Sequence, residues 1–464
     1  MKIQKMKATG VHGFLSIDIS FNNDLTFLIG LNGCGKTTAL RLMMALLTPN
    51  VEEFVEIEFE SSEVWIETDS GLVLIQAKKK DGLLSLAAST VAEPLELSAA
   101  ELQILASHKR EDGKLPLHDK LASSAVFQAI KNMSTPMFLG LDRRFSVPSM
   151  PWEDNIAARQ REYYARRAYA EEPGLRKAAS AGLLDVNYLV TTRTRQILMD
   201  QETLDEKFRR KLLTRSFEYK PSEVSRIEQM PSRKELESYR DRLSRIESAA
   251  EALQVPLPEV KAALSNFFER MSSVVDVLEQ NAKIKRARDK GGKDTKVREA
   301  INHDKIMQMH VEWIINKPQA DRILENLQLL DSFGEDRTAL RKPIEKFVKL
   351  INSFLLQTGK ELEVGSTGEL ALSIQGREGS KNITALSSGE RQLLVMIAHL
   401  SLNTSLESSG VFIVDEPELS LHIDWQERFV EAIREANPSV QIIMATHSPA
   451  IILDRDESCV SMSV

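Results

Sequence analysis

Two cysteines in 464 residues, Cys34 and Cys459, are too few for a disulfide framework and form no CxxC metal knuckle. Long apolar runs are missing as well. Stretches such as Leu393 to Ala398 fall far short of the roughly 20 residues that cross a bilayer. The opening residues, Met1-Lys-Ile-Gln-Lys5, lack the apolar core of a signal peptide. Nor is there an excess of positive charge: 60 Lys+Arg stand against 67 Asp+Glu, a formal net charge of −7. That balance argues against bulk coating of nucleic acid, though it leaves room for a local basic groove. Together these absences lead us to expect a soluble, cytoplasmic protein. What the chain does have is 42% hydrophobic and 27% charged residues, enough for a sizeable core. Its length corresponds to about three domain-equivalents.

The first ninety residues read as β-rich. Leu15 to Phe21 alternates, Leu25 to Ile29 is mostly apolar, and Val55 to Glu60 alternates strictly, which predicts strands. Leu72 to Ile75 and Leu83 to Leu86 flank Asp81-Gly82, a hairpin signal because Gly accepts positive φ. Residues 51 to 70 hold eight acidic residues and no basic one, as expected of the solvated face of an antiparallel sheet. From about 150 to 355, Gly becomes scarce and apolar residues recur at helical spacing, as in Leu236, Tyr239, Leu243 and Ile246. Pro221, Pro231, Pro256, Pro258 and Pro318 are expected to cut this region into several helices, with no sustained heptad. Strand patterns return at Leu362 to Val364 and Leu370 to Ile374. The expected domains are therefore a first lobe over 1–149, a helical insertion over 150–355, and a second lobe over 356–464.

Gly30-Leu31-Asn32-Gly33-Cys34-Gly35-Lys36-Thr37-Thr38 fits GxxxxGK[ST], directly after the apolar strand and before a helix-compatible stretch from Ala39 to Leu47. Glycines let backbone N–H groups converge on phosphate oxygens, and the helix N-terminus adds partial positive charge. Lys36 is expected to reach the β- and γ-phosphates of ATP, and Thr37 to ligate Mg²⁺. Near the other end, Val411 to Val414 runs into Asp415-Glu416. An apolar strand ending in two carboxylates suits a Walker B site, with Asp415 holding Mg²⁺ and Glu416 polarising the attacking water.

Between these elements lies Leu386-Ser387-Ser388-Gly389-Glu390-Arg391-Gln392, followed by a largely apolar helix. Here the chain resembles the ATP-binding-cassette (ABC) ATPases in their SMC-like and RecF-like branch. Ser387, Ser388, Gly389 and Glu390 then correspond to the signature loop, which in that family binds the γ-phosphate held by an opposite protomer. Ser388 and Glu390 replace the Gly and Gln of LSGGQ. Ser387 also reads as a simple N-cap. Ser420-Leu421-His422 stands at the D-loop position, and Thr446-His447-Ser448 matches the switch histidine, which makes His447 catalytic. Asp415 to Gln426 resembles the DEPExxLHPxxQ pattern of OLD-like ATPases, with Ile423 in place of the Pro. The implied fold is α/β: an ABC ATPase head split into two lobes, an antiparallel β subdomain plus a P-loop core sheet, with a mostly helical insertion between them.

The family's Q-loop has no convincing residue; Gln76 and Gln128 stand poorly for it, and Phe138 to Arg144 resembles the strand-plus-Arg segment of OLD-like proteins. Cys34 inside the phosphate loop, the basic stretch Lys283 to Arg298 and the Arg/Tyr-rich run Arg159 to Tyr169 read first as a tolerant loop position, an exposed loop and an exposed helix. A nucleic-acid or partner contact is the second reading of the basic stretch. Lys36 and Ser387 lie much farther apart than in transport cassettes, and only 17 residues follow His447. No room for a Toprim domain is expected there, and no nuclease in this chain. The resemblance extends to ATPase subunits of two-component anti-phage systems, above all that of PARIS, and more distantly to that of Septu, which works with an HNH nuclease. It implies a homodimer or higher homo-oligomer with composite ATP sites, which holds a Toprim-type nuclease effector and releases it when a phage-encoded trigger protein arrives. The alternative is a RecF-like DNA-repair ATPase that clamps DNA.

Overall fold

The computed structural model describes residues 1–107, 117–133, 136–139, 145–146, 181–218, 257–289, 303–403 and 410–462. The Arg/Tyr-rich run, Asp142 to Arg144, Leu236 to Ile246 and residues 290–298 of the basic stretch lie outside them. The described residues divide into two compact units, Met1–Arg195 with Pro343–Val464, and Gln196–Lys342.

Strand alternation builds the first unit. β1 (Lys2–Val11), β2 (Leu15–Ser20), β4 (Ser61–Thr68), β5 (Gly71–Lys80), β6 (Leu83–Ala88) and β7 (Leu95–Leu97) form an antiparallel sheet in the order β2-β1-β4-β5-β6-β7. Asp81 (φ 50°) and Gly82 (φ 77°) make the two-residue turn between paired Lys80 and Leu83. Both left-handed values match the right-handed twist of the strands they join. A second sheet runs β14-β3-β13-β12-β8-β9, from β3 (Leu25–Ile29), β8 (Met137–Leu139), β9 (Phe145–Ser146), β12 (Gly410–Asp415), β13 (Val440–Ala445) and β14 (Cys459–Ser461). It is parallel except at β8–β9.

All six residues of β12 and of β13 are buried, as expected for a parallel sheet covered on both faces. Val411 and Ile413 face the core shared with the antiparallel sheet and the first helix, Lys36–Leu47. Phe412 and Val414 face the core of the helices Ser388–Leu402 and Ile423–Ala436. A small ribbon of β10 (Lys360–Val364) and β11 (Leu370–Ile374) completes the unit. This is the two-sheet α/β head expected from the motifs.

Three expectations are corrected. Val55 to Glu60 is not a strand: Val51–Glu56 is a short helix capped by Asn50, whose side chain accepts from the Glu52 amide. Arg41 binds Glu53 and Glu56 on its outer face, while Phe54, Ile57 and Phe59 point into the core. Alternation over six residues cannot separate those two geometries. Pro318 does not end a helix either; it lies inside His303–Leu355. Finally, a heptad is present. In Leu257–Asp289, Leu264, Phe268, Met271, Val275 and Leu278 recur at steps of four and three. In His303–Leu355, Ile306, Met309, Trp313, Ala320, Ile323, Leu327 and Leu330 follow the same steps, with Asn316 at the one polar position. Leu264 packs on Leu327 and Arg270 donates from Nε and Nη2 to the two carboxylate oxygens of Glu312, so the two helices run antiparallel. Buried Trp313 and Ala320 bracket Pro318, and their packing outweighs its missing hydrogen bond.

Candidate nucleotide-binding site

The phosphate loop leaves β3 and closes into the first helix. Gly33 (φ 85°) and Gly35 (φ 91°) hold left-handed conformations that side chains resist, and Gly35 caps the helix. A Cβ on Gly30 would meet the Met462 carbonyl at 2.6 Å and the Cys34 sulfur at 2.8 Å, so the residue that follows β14 packs directly against the loop. Lys36 is 6% exposed. Its ammonium donates to the carbonyls of Gly30 (3.1 Å) and Leu31 (3.3 Å) and lies 3.9 Å from Cys34 Sγ.

An open cleft of about 410 Å³ sits over this loop. Asn32, Gly33, Gly35, Lys36, Thr37 and Thr38 line it, joined by Glu416 and His447. Residues far apart in sequence thus meet because β3, β13 and β12 are neighbours in parallel, with Glu416 leaving β12 and His447 following β13. Of the remaining loop residues, Leu31 points outward at 82% exposure, Cys34 is buried, and Gly30 is taken up by its contact with Met462.

Asp415 is 3% exposed, and neither carboxylate oxygen has a hydrogen-bond partner of good geometry among the described residues. Burial raises its pKa to about 6, against the pull of the Thr37 hydroxyl and Lys36; the negative charges of Glu416 and Glu418 raise it further. An orphaned, buried carboxylate beside a threonine hydroxyl and a phosphate loop is a donor set suited to Mg²⁺. Asp415 and Thr37 would hold the ion, which when bound supplies charge neutralisation for the phosphates. Glu416 sits at φ 47°, ψ 59°, a left-handed conformation uncommon for a residue with a side chain. Strain of this kind concentrates at functional positions.

None of Ser387, Ser388, Gly389 or Glu390 lines the cleft. Ser387 caps the helix Ser388–Leu402 in a capping box with Glu390, and Ser387 and Ser388 are exposed. Glu390 turns inward instead. Its oxygens accept from Lys360 Nζ (2.7 and 2.9 Å), the Thr358 hydroxyl (2.8 Å) and the Ser387 amide (2.6 Å). Burial pushes its pKa up, but Lys360 and these donors pull harder and leave it below the ordinary carboxylate value. Gln76 and Gln128 are also engaged elsewhere, on Glu63 Oε1 and the Ala122 carbonyl, and neither lines the cleft.

Three lining residues, His12, Phe14 and Leu15, were not among the expected site residues. The turn between β1 and β2 brings His12 Nε2 within 3.3 Å of Thr38 Oγ1 and leaves Phe14 71% exposed at the cleft wall. The available signal was an aromatic residue in a Gly-containing turn, where a polar residue is ordinary.

With this geometry in view, comparison with known proteins gives one family model, described as an AAA ATPase domain, matching residues 1–452. A retron Vc95 probable ATPase of Vibrio cholerae serotype O1 biovar El Tor is 26% identical over 175 residues, 34% of each chain. A retron Ec83 probable ATPase of Escherichia coli is 30% identical over 91 residues, 18% of this chain and 17% of that one. The matches thus span about a third of the first relative and less than a fifth of the second. Among solved structures, an Smc head bound to the C-terminal winged-helix domain of ScpA aligns over 99% of this chain and 94% of its own, at 11% identity and TM-score 0.39. The SMC head domain from Thermotoga maritima aligns over 99% and 92%, at 11% identity and TM-score 0.36.

Proposed function

Because the chain belongs to the AAA ATPase domain family, we propose that it binds and hydrolyses Mg²⁺–ATP as the sensor and scaffold subunit of a two-component anti-phage system. Within that reading Lys36, Thr37 and the loop amides bind the phosphates, Asp415 and Thr37 take the metal, Glu416 polarises the attacking water and His447 senses the γ-phosphate. The observation that carries it is the split of the site. One protomer's cleft gathers the phosphate loop, Glu416 and His447, while its own signature residues Ser387 and Ser388 stand exposed elsewhere. A second copy of the chain completes each site, which makes closure depend on nucleotide in both protomers. Exposed Leu31, Leu419 and Ile423 supply apolar surface for that contact.

Relatives named as retron ATPases support the ATPase part of this proposal. Its effector part rests on the motif resemblance to AriA of the PARIS system, which implies a Toprim-type nuclease of the AriB kind held in trans and freed by a phage trigger. The test is Glu416→Gln protein co-expressed with its genomic neighbours, purified by a tag and weighed by native mass spectrometry. A homo-oligomer carrying a nuclease is expected. An isolated dimer that co-purifies with DNA overturns the scaffold reading in favour of DNA maintenance.

A further inference from the structure

Two carboxylates stand two residues apart in the 3-10 turn after β12, and only Glu416 lines the cleft. Glu418 grips the loop after β13 instead. Its Oε1 accepts from the His447 backbone N–H at 2.7 Å and from the Thr446 hydroxyl at 2.9 Å. The Thr446 oxygen accepts from the Ser448 N–H at 3.0 Å, and the Ser448 hydroxyl donates to Gln426 Oε1 at 2.6 Å. Gln426 closes the ring, because its Nε2 donates to the carbonyls of Leu421 (2.9 Å) and Glu418 (3.3 Å).

We propose that Glu418 and Gln426 are positioning residues, a clamp that fastens the His447 loop to the turn bearing Glu416 so that the two move as one body. The His447 side chain is exposed. Its aim therefore comes from its backbone, and the charged acceptor on that backbone amide is Glu418. Thr446 is 1% exposed, which shields its own bond to Glu418 from competing water. On the other side, the Glu416 amide donates to the Ala445 carbonyl at 2.8 Å, so the turn is tied to β13 both before and after its left-handed residue. A γ-phosphate touching His447 would then bear on Glu416 through three hydrogen-bonded links, without waiting for the wider fold to shift. Leu419 to Leu421, the segment enclosed by the ring, carries exposed Leu419 toward the surface. The same ring therefore reports contact made there.

This inference rests on the proposed ATPase reading, and two measurements separate their failures. Hydrogen exchange of the nucleotide-free protein tests the clamp itself. Glu418→Ala and Gln426→Ala should speed exchange at residues 446–448, and Glu418→Gln, which keeps an oxygen acceptor, should restore protection. Unchanged exchange overturns the clamp, whether or not the protein turns over ATP. Steady-state kinetics test its purpose. Glu418→Ala should lower kcat roughly 10- to 100-fold with KM within about twofold. In a His447→Ala background it should cost nothing further; additive losses overturn action through His447. Absence of turnover in the unmodified protein would remove the ATPase reading and leave the exchange result to decide the clamp.

Discussion

The Glu416 amide donates to the Ala445 carbonyl at 2.8 Å, so the residue that follows β12 is joined to the last residue of its parallel neighbour β13. Glu416 therefore has a fixed origin, and it lines the cleft. Glu416→Gln keeps size and backbone but cannot accept a proton. Turnover should fall by about 10²–10⁴-fold while ATP binding persists. Lys36→Ala should abolish binding as well. Measuring turnover and nucleotide binding on both variants decides it, and a Glu416→Gln protein with normal turnover rules out the assigned base.

Asp415 gives a pH signature. Its pKa is raised to about 6 from an ordinary 3.8, chiefly by burial, so the folded, metal-free protein prefers the protonated acid. No effect on stability exists below 3.8, where both states are protonated. Stability is lost as pH rises from 3.8 to 6, and the full penalty, up to about 3 kcal/mol, stands above 6. Asp415→Asn should thus raise the Tm at pH 7.5 and lose that advantage by pH 4. Conversely, Mg²⁺ should protect the unmodified protein at pH 7.5 and bind more weakly as pH falls below 6, because proton and metal compete for one carboxylate. Thermal melts over pH 4–8, with and without Mg²⁺, test both signs.

Phe14 offers a flat aromatic face at the cleft wall, beside the phosphate loop but not among its phosphate-binding amides. A base reaching that wall can stack there, an interaction worth about 1–3 kcal/mol. Phe14→Ala should raise the KM for ATP about 5- to 100-fold, and Phe14→Trp should not. A kcat loss at unchanged KM would show that the ring acts on something other than the base.

Lys360 and Glu390 form an ion pair behind the loop at Ser387, with side chains 18% and 3% exposed. Removing the lysine alone strands a buried carboxylate, so Lys360→Ala should cost roughly 3–5 kcal/mol in denaturant unfolding. Lys360→Met with Glu390→Gln should cost much less. Glu390 titrates below its ordinary value, so its stabilisation is present above pH 4.5 and is lost as pH falls further. The deficit of Lys360→Ala should therefore shrink in acid.

Local chemistry was legible in the sequence where one short segment decides the outcome. The strand Leu25–Ile29, the phosphate-loop helix, the Asp81-Gly82 turn and the Ser387 N-cap all follow from residues within a few positions of each other. What was not legible depends on partners distant in sequence. Glu390 looks like a loop residue until Lys360 is brought beside it, Phe14 looks like a turn residue until β3 places the phosphate loop next to it, and Glu418 has no evident work until β13 delivers His447. Val55 to Glu60 misleads for the same reason, since its first two residues belong to the helix Val51–Glu56, whose Glu53 and Glu56 bind Arg41.

Pro318 shows how far packing can override a strong local rule, and it can be measured. It removes one backbone hydrogen bond, to the Ile314 carbonyl, and crowds that carbonyl, at about 3 kcal/mol in a helix interior. The heptad faces of Leu257–Asp289 and His303–Leu355 hold the helix together across it, with Trp313 2% and Ala320 1% exposed on either side. Pro318→Ala should restore the bond and stabilise the Gln196–Lys342 unit by about 1–3 kcal/mol, somewhat less than the full helix penalty because proline also restricts the unfolded chain. Trp313→Ala should destabilise the same unit by roughly 3–5 kcal/mol. Hydrogen exchange along His303–Leu355 reads both. If Pro318→Ala leaves protection unchanged while Trp313→Ala melts the helix on both sides of residue 318, packing alone sets its stability. If Pro318→Ala weakens the helix, the backbone geometry that proline imposes is itself needed for the antiparallel fit with Leu257–Asp289.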